Sequence, residues 1–296
     1  MWPREHKTPN APFKISTQIE TGLQVVTTKH YRITSETPIV RQDFARFAKV
    51  LESVPQLIRR HPLPLWAPGT DQPINIFICR DDASFQRAGG NAGAVGWWDG
   101  RNRRALIRGD YFLAPPRAGN SRLQPRPDQG LLVHEMIHMS MNQLLWRVPP
   151  WFSEGTAEYF SICHQGDGWY LFRDLDSMIR DHLRHAVSRN KVGDKYHLLP
   201  VAEILKLDHA GWLQTAQNQP SGNAYLPYAT ALLLTHYHFH GGAARRQKVT
   251  EHLTKLHKLS RRARPPAFPT EDPAEIQSRL TKYWAQRGLH FVFRAE

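Results

Sequence analysis

The densest group of reactive side chains in the sequence is the segment His134-Glu135-Met136-Ile137-His138, which fits the pattern His-Glu-x-x-His. His134 and His138 are four positions apart, so one turn of a helix places both imidazoles on the same face. Neutral imidazoles at that spacing can bind one zinc ion. Glu135, offset by one position, can then act as a general base beside the metal. The spacing therefore predicts a metal-dependent hydrolytic site.

A catalytic zinc needs a third protein ligand, and the sequence offers one beyond a Pro-Pro turn. Fifteen residues separate His138 from Glu154, which lies in the segment 151–160, Trp-Phe-Ser-Glu-Gly-Thr-Ala-Glu-Tyr-Phe. Two helices joined by such a turn can pack face to face, which would bring Glu154 to the metal. Glu158, one turn further along the same face, is predicted to accept a hydrogen bond from a ligating imidazole. Alternatively, both glutamates are solvated helix residues.

The two segments together resemble the zinc-binding region of the gluzincin metallopeptidases. The resemblance is closer to the bacterial peptidase-MA-like domains than to aminopeptidase-N-type enzymes, in which the two motifs are further apart. It covers about residues 22–245, with the distinctive motifs confined to 134–160. It implies a zincin-like fold, one Zn²⁺ per chain and zinc-dependent hydrolysis of peptide bonds. The residues it implies are the metal ligands His134, His138 and Glu154 and the general base Glu135.

The same resemblance implies a hydrogen-bond donor for the oxyanion on a later helix. Gluzincins commonly supply a Tyr or His for this role, and here Tyr228 is the first candidate and Tyr225 the second. Either residue could instead be an ordinary core tyrosine. The aminopeptidase motif Gly-x-Met-Glu-Asn is absent from the sequence, so cleavage restricted to the N terminus of a peptide does not follow.

The elements that must position these residues form an α+β pattern. The chain has 296 residues, of which 41% are hydrophobic and 22% charged, and a chain of this length needs no disulfide or metal to fold. Strand patterns dominate before residue 128 and helical patterns after it. We therefore expect a small N-terminal mixed sheet packed on a mostly helical C-terminal half that carries the His-Glu-x-x-His helix.

Three segments are predicted within one catalytic unit. Residues 1–21 are predicted to be a flexible leader, 22–127 an α/β sub-domain with an edge strand, and 128–296 a helical sub-domain with the zinc site. The cleft is expected between the two sub-domains. Residues 93–97, Gly-Ala-Val-Gly-Trp, could form the edge strand that pairs with an extended peptide substrate, or a purely structural hairpin.

The net charge of +13, from 39 Lys and Arg against 26 Asp and Glu, bears on partners and not on the fold. Seven arginines and a single acid lie between residues 101 and 126. They could line the cleft and favour acidic peptides, or form a solvated loop. A peptide or protein substrate is expected, and nucleic acid is not, since no aromatic-flanked basic RNA motif is present. The alternative functions are a non-catalytic zinc-containing binding domain and a basic polyanion- or nucleic-acid-binding protein.

The sequence leaves the compartment and the oligomeric state open. No apolar run approaches the roughly 20 residues of a membrane helix, so no transmembrane segment is expected. Residues 1–7 lack the apolar stretch of a secretory signal. The resemblance to bacterial domains, in contrast, implies an exported or periplasmic protein if the N-terminus has been trimmed.

Overall fold

The computed structural model describes residues 3–17, 23–66, 72–92, 94–99, 104–113, 129–219, 221–260 and 262–294. These residues confirm the predicted α+β fold, with a mixed sheet in the N-terminal half and a mostly helical C-terminal half. The N-terminal half contains, in order, β1 (Glu5–Lys7), β2 (Lys14–Thr17), β3 (Gln24–Thr27), β4 (Tyr31–Ser35), α1 (Arg41–Arg60), β5 (Ile74–Cys79), α2 (Asp82–Arg87), β6 (Gly96–Asp99), β7 (Arg104–Arg108) and α3 (Gly109–Phe112).

Six strands form the N-terminal sheet in the order β2-β3-β4-β5-β7-β6. Its centre is parallel, because α1 crosses over between β4 and β5, and β7 continues the same direction beside β5. Its two margins are antiparallel: β2 and β3 on one side, β6 on the other. Among the described strands only β7 pairs with β6. The segment 93–97 was predicted to form either an edge strand or a hairpin. Its residues in β6 meet both descriptions, because β6 lies at the edge of the described sheet and pairs antiparallel with β7.

The C-terminal half carries the helices that hold the candidate site. Its elements are α4 (Gln129–Ser140), α5 (Pro150–Cys163), β8 (Trp169–Leu171), α6 (Leu175–Ala186), a 3₁₀ turn (Ser188–Asn190), β9 (Lys191–Val192), β10 (Lys195–Leu198), α7 (Val201–Ile204), α8 (His209–Gln217), α9 (Leu226–His240), α10 (Ala243–Lys258), α11 (Pro273–Ala285) and β11 (His290–Phe293). α5 packs between α4 and α9, most extensively against α9. β9, β10 and β11 form a separate small sheet.

One hydrophobic core connects the two halves. The apolar face of α1, including Phe44, Val50 and Leu57, is buried as its helical spacing predicts. α1 packs against α4, and its buried residues belong to the same cluster as the sheet and as α5 and α9. The sheet and the helices are therefore parts of one packed unit.

The segment predicted as a flexible leader, 1–21, contains two strands. β1 pairs antiparallel with β8, and β2 pairs antiparallel with β3. Each strand is only three or four residues long, and β1 finds its partner far along the chain. Local sequence pattern cannot show the long-range pairing of β1, and the four residues of β2 are too short a pattern to indicate a strand.

Other boundaries differ for similar reasons. The β-branched and aromatic residues over 23–33 predict a single strand, but the segment forms a hairpin, because β3 ends at Thr27 and β4 begins at Tyr31. The sequence predicts one helix over 128–146, between a candidate N-cap at Asp128 and the prolines at 149–150. The observed helix α4 ends at Ser140, and residues 141–147 form turns. Most of the arginine-rich segment, at 101–103 and 114–128, lies outside the described residues. In the part of the chain that is described, no helix combines the length and the apolar character needed to cross a membrane.

Candidate metal centre

Helix α4 presents two histidines at its surface beside α5. Leu132, Val133, Met136 and Ile137 of α4 are buried in the core, so their burial fixes the rotation of the helix. His134 and His138, one turn apart, share the face that meets α5. Their Nε2 atoms lie 3.1 Å from each other. Two imidazole nitrogens are therefore directed at one point.

Glu154 of α5 completes a triangle of ligand atoms. Its Oε2 lies 3.3 Å from Nε2 of His134 and 3.3 Å from Nε2 of His138. A tetrahedral zinc with bonds of about 2.0–2.1 Å places its ligand atoms about 3.3 Å apart. The three side chains thus fit the ligand shell of such an ion, and among the described residues they form the one group of three or more His, Cys, Asp or Glu that could hold a metal.

The outer nitrogen of each imidazole also faces a polar group. His134 Nδ1 lies 2.8 Å from Glu158 Oε1, and His138 Nδ1 lies 3.2 Å from Ser153 Oγ. Contacts of this kind set the tautomer and ring orientation of a metal ligand. Glu158 thus contacts the outer nitrogen of His134, one of the two candidate imidazole ligands. Ser153, which the sequence did not indicate, contacts the outer nitrogen of His138 in the same way.

Burial and mutual contact strongly shift the pKa values of His134 and Glu154. Burial disfavours the imidazolium form of His134, but the carboxylates of Glu154 and Glu158 outweigh it and raise the pKa of His134 well above its usual value. Burial likewise disfavours the Glu154 carboxylate, yet the imidazoles of His138 and His134 lower the pKa of Glu154 far below its usual value. Buried negative charge facing two imidazoles is a site that a divalent cation can neutralise.

Glu135 projects from α4 towards the edge strand β6. Burial raises the pKa of its carboxyl, and the neighbouring imidazoles of His134 and His138 only partly oppose this rise. A Cβ atom at Gly96 of β6 would overlap the Glu135 carboxylate. The glycine therefore gives the carboxylate room between α4 and β6. The structure brings together the predicted base and the predicted edge strand.

The two predicted tyrosines, Tyr225 and Tyr228, take different positions around His134. The Tyr228 ring lies 6.3 Å from the His134 ring, between centroids, and packs edge-on against Trp212. Tyr225 stacks on Tyr228 at 5.9 Å, but its hydroxyl donates to Glu158 Oε2 at 2.5 Å. The hydroxyl of Tyr225 is thus directed at the carboxylate behind His134. Tyr228 remains the tyrosine whose ring lies against a metal-ligand candidate.

Gly155 explains how α9 comes so close to the site. A Cβ at this position would overlap the carbonyl oxygen of Ala231 and the hydroxyl of Thr235 on α9. The absence of a side chain lets α5 and α9 pack in direct backbone contact. The glycine that follows Glu154 in the sequence motif therefore has a packing role. It brings the start of α9, with its tyrosines, beside the helix that carries Glu154.

Sequence reasoning also missed His182 and Trp212. Nε2 of His182, on α6, lies 2.7 Å from the hydroxyl oxygen of Tyr225. The ring of Trp212, on α8, contacts the ring of Tyr228. Both residues lie on helices distant in sequence from 134–160 and carry no local motif. Only the packing of α6 and α8 around the site identifies them.

Comparison with known proteins adds no relative, since the sequence matches no protein-family model and no curated protein. The chemistry of the site is therefore inferred from its own residues. Two imidazoles and one carboxylate that converge on a point, with a second carboxylate beside them, form the ligand set and base of hydrolytic zinc sites.

Proposed function

We propose that this protein is a zinc-dependent hydrolase of peptide bonds that acts by a gluzincin-type mechanism. The observation that carries the proposal is the triangle formed by Nε2 of His134, Nε2 of His138 and Oε2 of Glu154, with edges of 3.1–3.3 Å. Glu135, on the same helix as the two histidines, supplies the base that a purely structural metal site does not need.

The metal would be held by His134, His138 and Glu154. When bound there, zinc supplies a Lewis acid that polarises a carbonyl group and makes water more acidic. Glu135 accepts the proton of the attacking water on its carboxylate and returns it to the leaving amine. Its pKa, raised by burial, brings it closer to the working range of a general base at neutral pH.

Tyr228 is the proposed donor to the oxyanion. Burial and the nearby carboxylate of Glu154 raise the pKa of its hydroxyl well above the usual value. The hydroxyl therefore keeps its proton at neutral pH and can donate a hydrogen bond. A donor fixed in place by packing on His134 and Trp212 is effective where negative charge develops.

The proposed substrate is an extended peptide that pairs with β6. β6 is an edge strand among the described residues, and an extended peptide can add a strand to such an edge. Gly96, which begins β6, lies against Glu135, so a peptide on this strand would run past the proposed base. The position of the edge is the feature that favours a peptide over a small ester or amide.

The substitution Glu135→Gln tests this function. We expect it to reduce cleavage of a mixed peptide library by about 10²-fold or more, because the general base is lost, while bound zinc stays unchanged. Glu251→Gln, a matched change at an exposed residue of α10, should leave both cleavage and zinc unchanged. Equal activity of Glu135→Gln and wild type would refute the mechanism. Wild type that binds zinc but cleaves no peptide would favour a non-catalytic zinc-containing binding domain.

A further inference from the structure

We propose that Glu158, Tyr225 and His182 form a hydrogen-bonded chain that positions His134 and thereby sets the affinity of the centre for zinc. The inference rests on the proposed function, since it assigns these residues to the same metal site. It makes Tyr225 a positioning residue and separates its role from that of Tyr228.

The inner part of the chain lies around the Glu158 carboxylate, whose side chain is 12% exposed. Oε1 lies 2.8 Å from His134 Nδ1, and Oε2 accepts a hydrogen bond of 2.5 Å from the Tyr225 hydroxyl. One carboxylate oxygen therefore faces the outer nitrogen of His134, while the other is held by Tyr225. A carboxylate held in this way against Nδ1 fixes the orientation of the imidazole whose Nε2 faces His138 and Glu154.

The outer part of the chain has a defined direction as well. A tyrosine hydroxyl has a single hydrogen, and Tyr225 gives it to Glu158. His182 Nε2, 2.7 Å from the Tyr225 oxygen, must therefore be the donor in that contact. The His182 side chain is 35% exposed, so the chain runs from the metal-facing imidazole to the surface of the protein.

The backbone of Tyr225 is held independently of the metal centre. Its N–H donates to the side-chain oxygen of Asn223, which is itself buried. The amide nitrogen of Asn223 donates to the carbonyl of Ala186 at 2.9 Å and to Asn190 Oδ1 at 2.8 Å. The end of α6 and the turn after it thus anchor the start of α9. A hydroxyl placed by such a rigid support can hold Glu158 in one orientation.

Tyr228 provides a matched control, because it is the neighbouring tyrosine and stacks on the Tyr225 ring. The described hydrogen bonds of Glu158 come from Tyr225 and not from Tyr228. Removal of either hydroxyl is a change of equal size at the same wall of the site. Only removal of the Tyr225 hydroxyl should disturb the orientation of His134.

The test compares zinc affinity, measured by competition with a chromophoric chelator, for wild type, Tyr225→Phe and Tyr228→Phe. We expect Tyr225→Phe to bind zinc about 10- to 100-fold more weakly, the usual cost of losing a contact behind a metal ligand. Tyr228→Phe should keep the wild-type affinity. The melting temperature of each metal-free protein shows whether the fold is intact.

A second pair of variants tests the outer end of the chain and serves if Tyr225→Phe does not fold. His182→Ala removes the donor to the Tyr225 oxygen and should weaken zinc binding. His182→Gln keeps an N–H donor on a side chain of similar reach and should restore most of the affinity. A role in packing alone would predict the same affinity for both variants.

Three results would overturn the inference. Equal zinc affinity of Tyr225→Phe and wild type would refute the positioning role while leaving the metal site in place. Equal losses in Tyr225→Phe and Tyr228→Phe would show that only the shared packing matters. Failure of wild type to bind zinc would refute both this inference and the proposed function, which distinguishes it from the first two results.

Discussion

At the residue scale, the proposed base depends on a neighbour that has no side chain. The Glu135 carboxylate occupies the space next to Gly96, where any Cβ atom would overlap it. Because Gly96 belongs to β6 and Glu135 to α4, this contact fixes the distance between the edge strand and the helix that carries His134 and His138. A small change at position 96 should therefore alter the base without touching the metal ligands.

We predict that Gly96→Ala lowers peptide cleavage by about 10- to 100-fold, because a displacement of the base by roughly 1 Å is costly for catalysis. Zinc content should remain that of wild type, since none of His134, His138 and Glu154 is displaced. Kinetics and elemental analysis of the same preparation check both parts. Unchanged cleavage, or loss of the metal together with activity, would contradict this account of Gly96.

The proximity of His134, His138 and Glu154 could be predicted from the sequence, and the reason is geometric. These candidate ligands lie on two consecutive helices, and a spacing of four residues fixes which side chains share a face. The separate roles of Tyr225 and Tyr228 could not be predicted, because both belong to one short segment and their hydroxyl directions depend on what packs around them. The contact of Ser153 with His138 could not be predicted for the same reason, since it depends on how α5 packs against α4.

At the scale of elements, one buried carboxylate ties the sheet to the helices. Glu52 of α1 accepts hydrogen bonds from the Thr28 hydroxyl at 2.5 Å and from the His30 backbone N–H at 2.8 Å. The His30 ring nitrogen Nδ1 also lies 2.5 Å from its second oxygen. These contacts attach the turn between β3 and β4 to the long helix that packs on α4.

Glu52→Gln should lower the free energy of unfolding by about 1–3 kcal/mol at pH 7, the usual cost of breaking a buried charged hydrogen-bond group. Burial opposes the charged form, but the contacts with His30 and Thr28 outweigh it and lower the pKa of Glu52 below its ordinary 4.5. The Glu52 carboxylate therefore contributes fully to the free energy of unfolding above pH 4.5, and this contribution is lost as the pH falls through the lowered pKa.

Urea unfolding of Glu52→Gln and wild type at a series of pH values checks this prediction. The difference in the free energy of unfolding between Glu52→Gln and wild type should be largest near pH 7 and should shrink on acidification below pH 4.5. Glu251→Gln, at an exposed site, should match wild type throughout. A difference in unfolding free energy that grows on acidification would contradict the predicted direction of this pH dependence.

Elements with strong local periodicity were predictable and elements defined by distant partners were not. Apolar residues at helical spacing over 40–60 predict α1, and the apolar run 74–79 predicts β5. Both match the observed elements closely, because each pattern is visible in the sequence alone. β1, β10 and β11 were missed, since each strand is short and pairs with a strand remote in sequence, and β9 was missed because it has only two residues. For such strands, pairing and not propensity decides the structure.

At the scale of the whole molecule, part of the positive charge is engaged inside the protein. Arg108 pairs with Asp82 and Asp110, and Arg104 donates to the carbonyl of Ala88 while it lies over the Phe77 ring. These are the two arginines of the 101–126 segment that the structure describes. The other five lie outside the described residues, so a positively charged cleft wall stays a prediction.

The core that joins the sheet to the helices predicts one thermal transition for the whole chain, because buried residues of both halves belong to a single cluster. Zinc at about a thousandfold its Kd should stabilise the folded protein by about 4 kcal/mol and raise its Tm by roughly 10 °C. Far-UV circular dichroism and tryptophan fluorescence should melt together. Two transitions, with only one shifted by zinc, would contradict the single unit.

The central claim is that His134, His138 and Glu154 bind one zinc ion, and elemental analysis of purified protein tests it most directly. Wild type and Glu154→Ala are compared after incubation with zinc and removal of the excess, with Glu251→Ala as the control at an exposed position. We predict about one zinc per chain in wild type and in the control, and loss of the metal in Glu154→Ala. No zinc in wild type, or equal zinc in wild type and Glu154→Ala, would contradict the proposed metal centre.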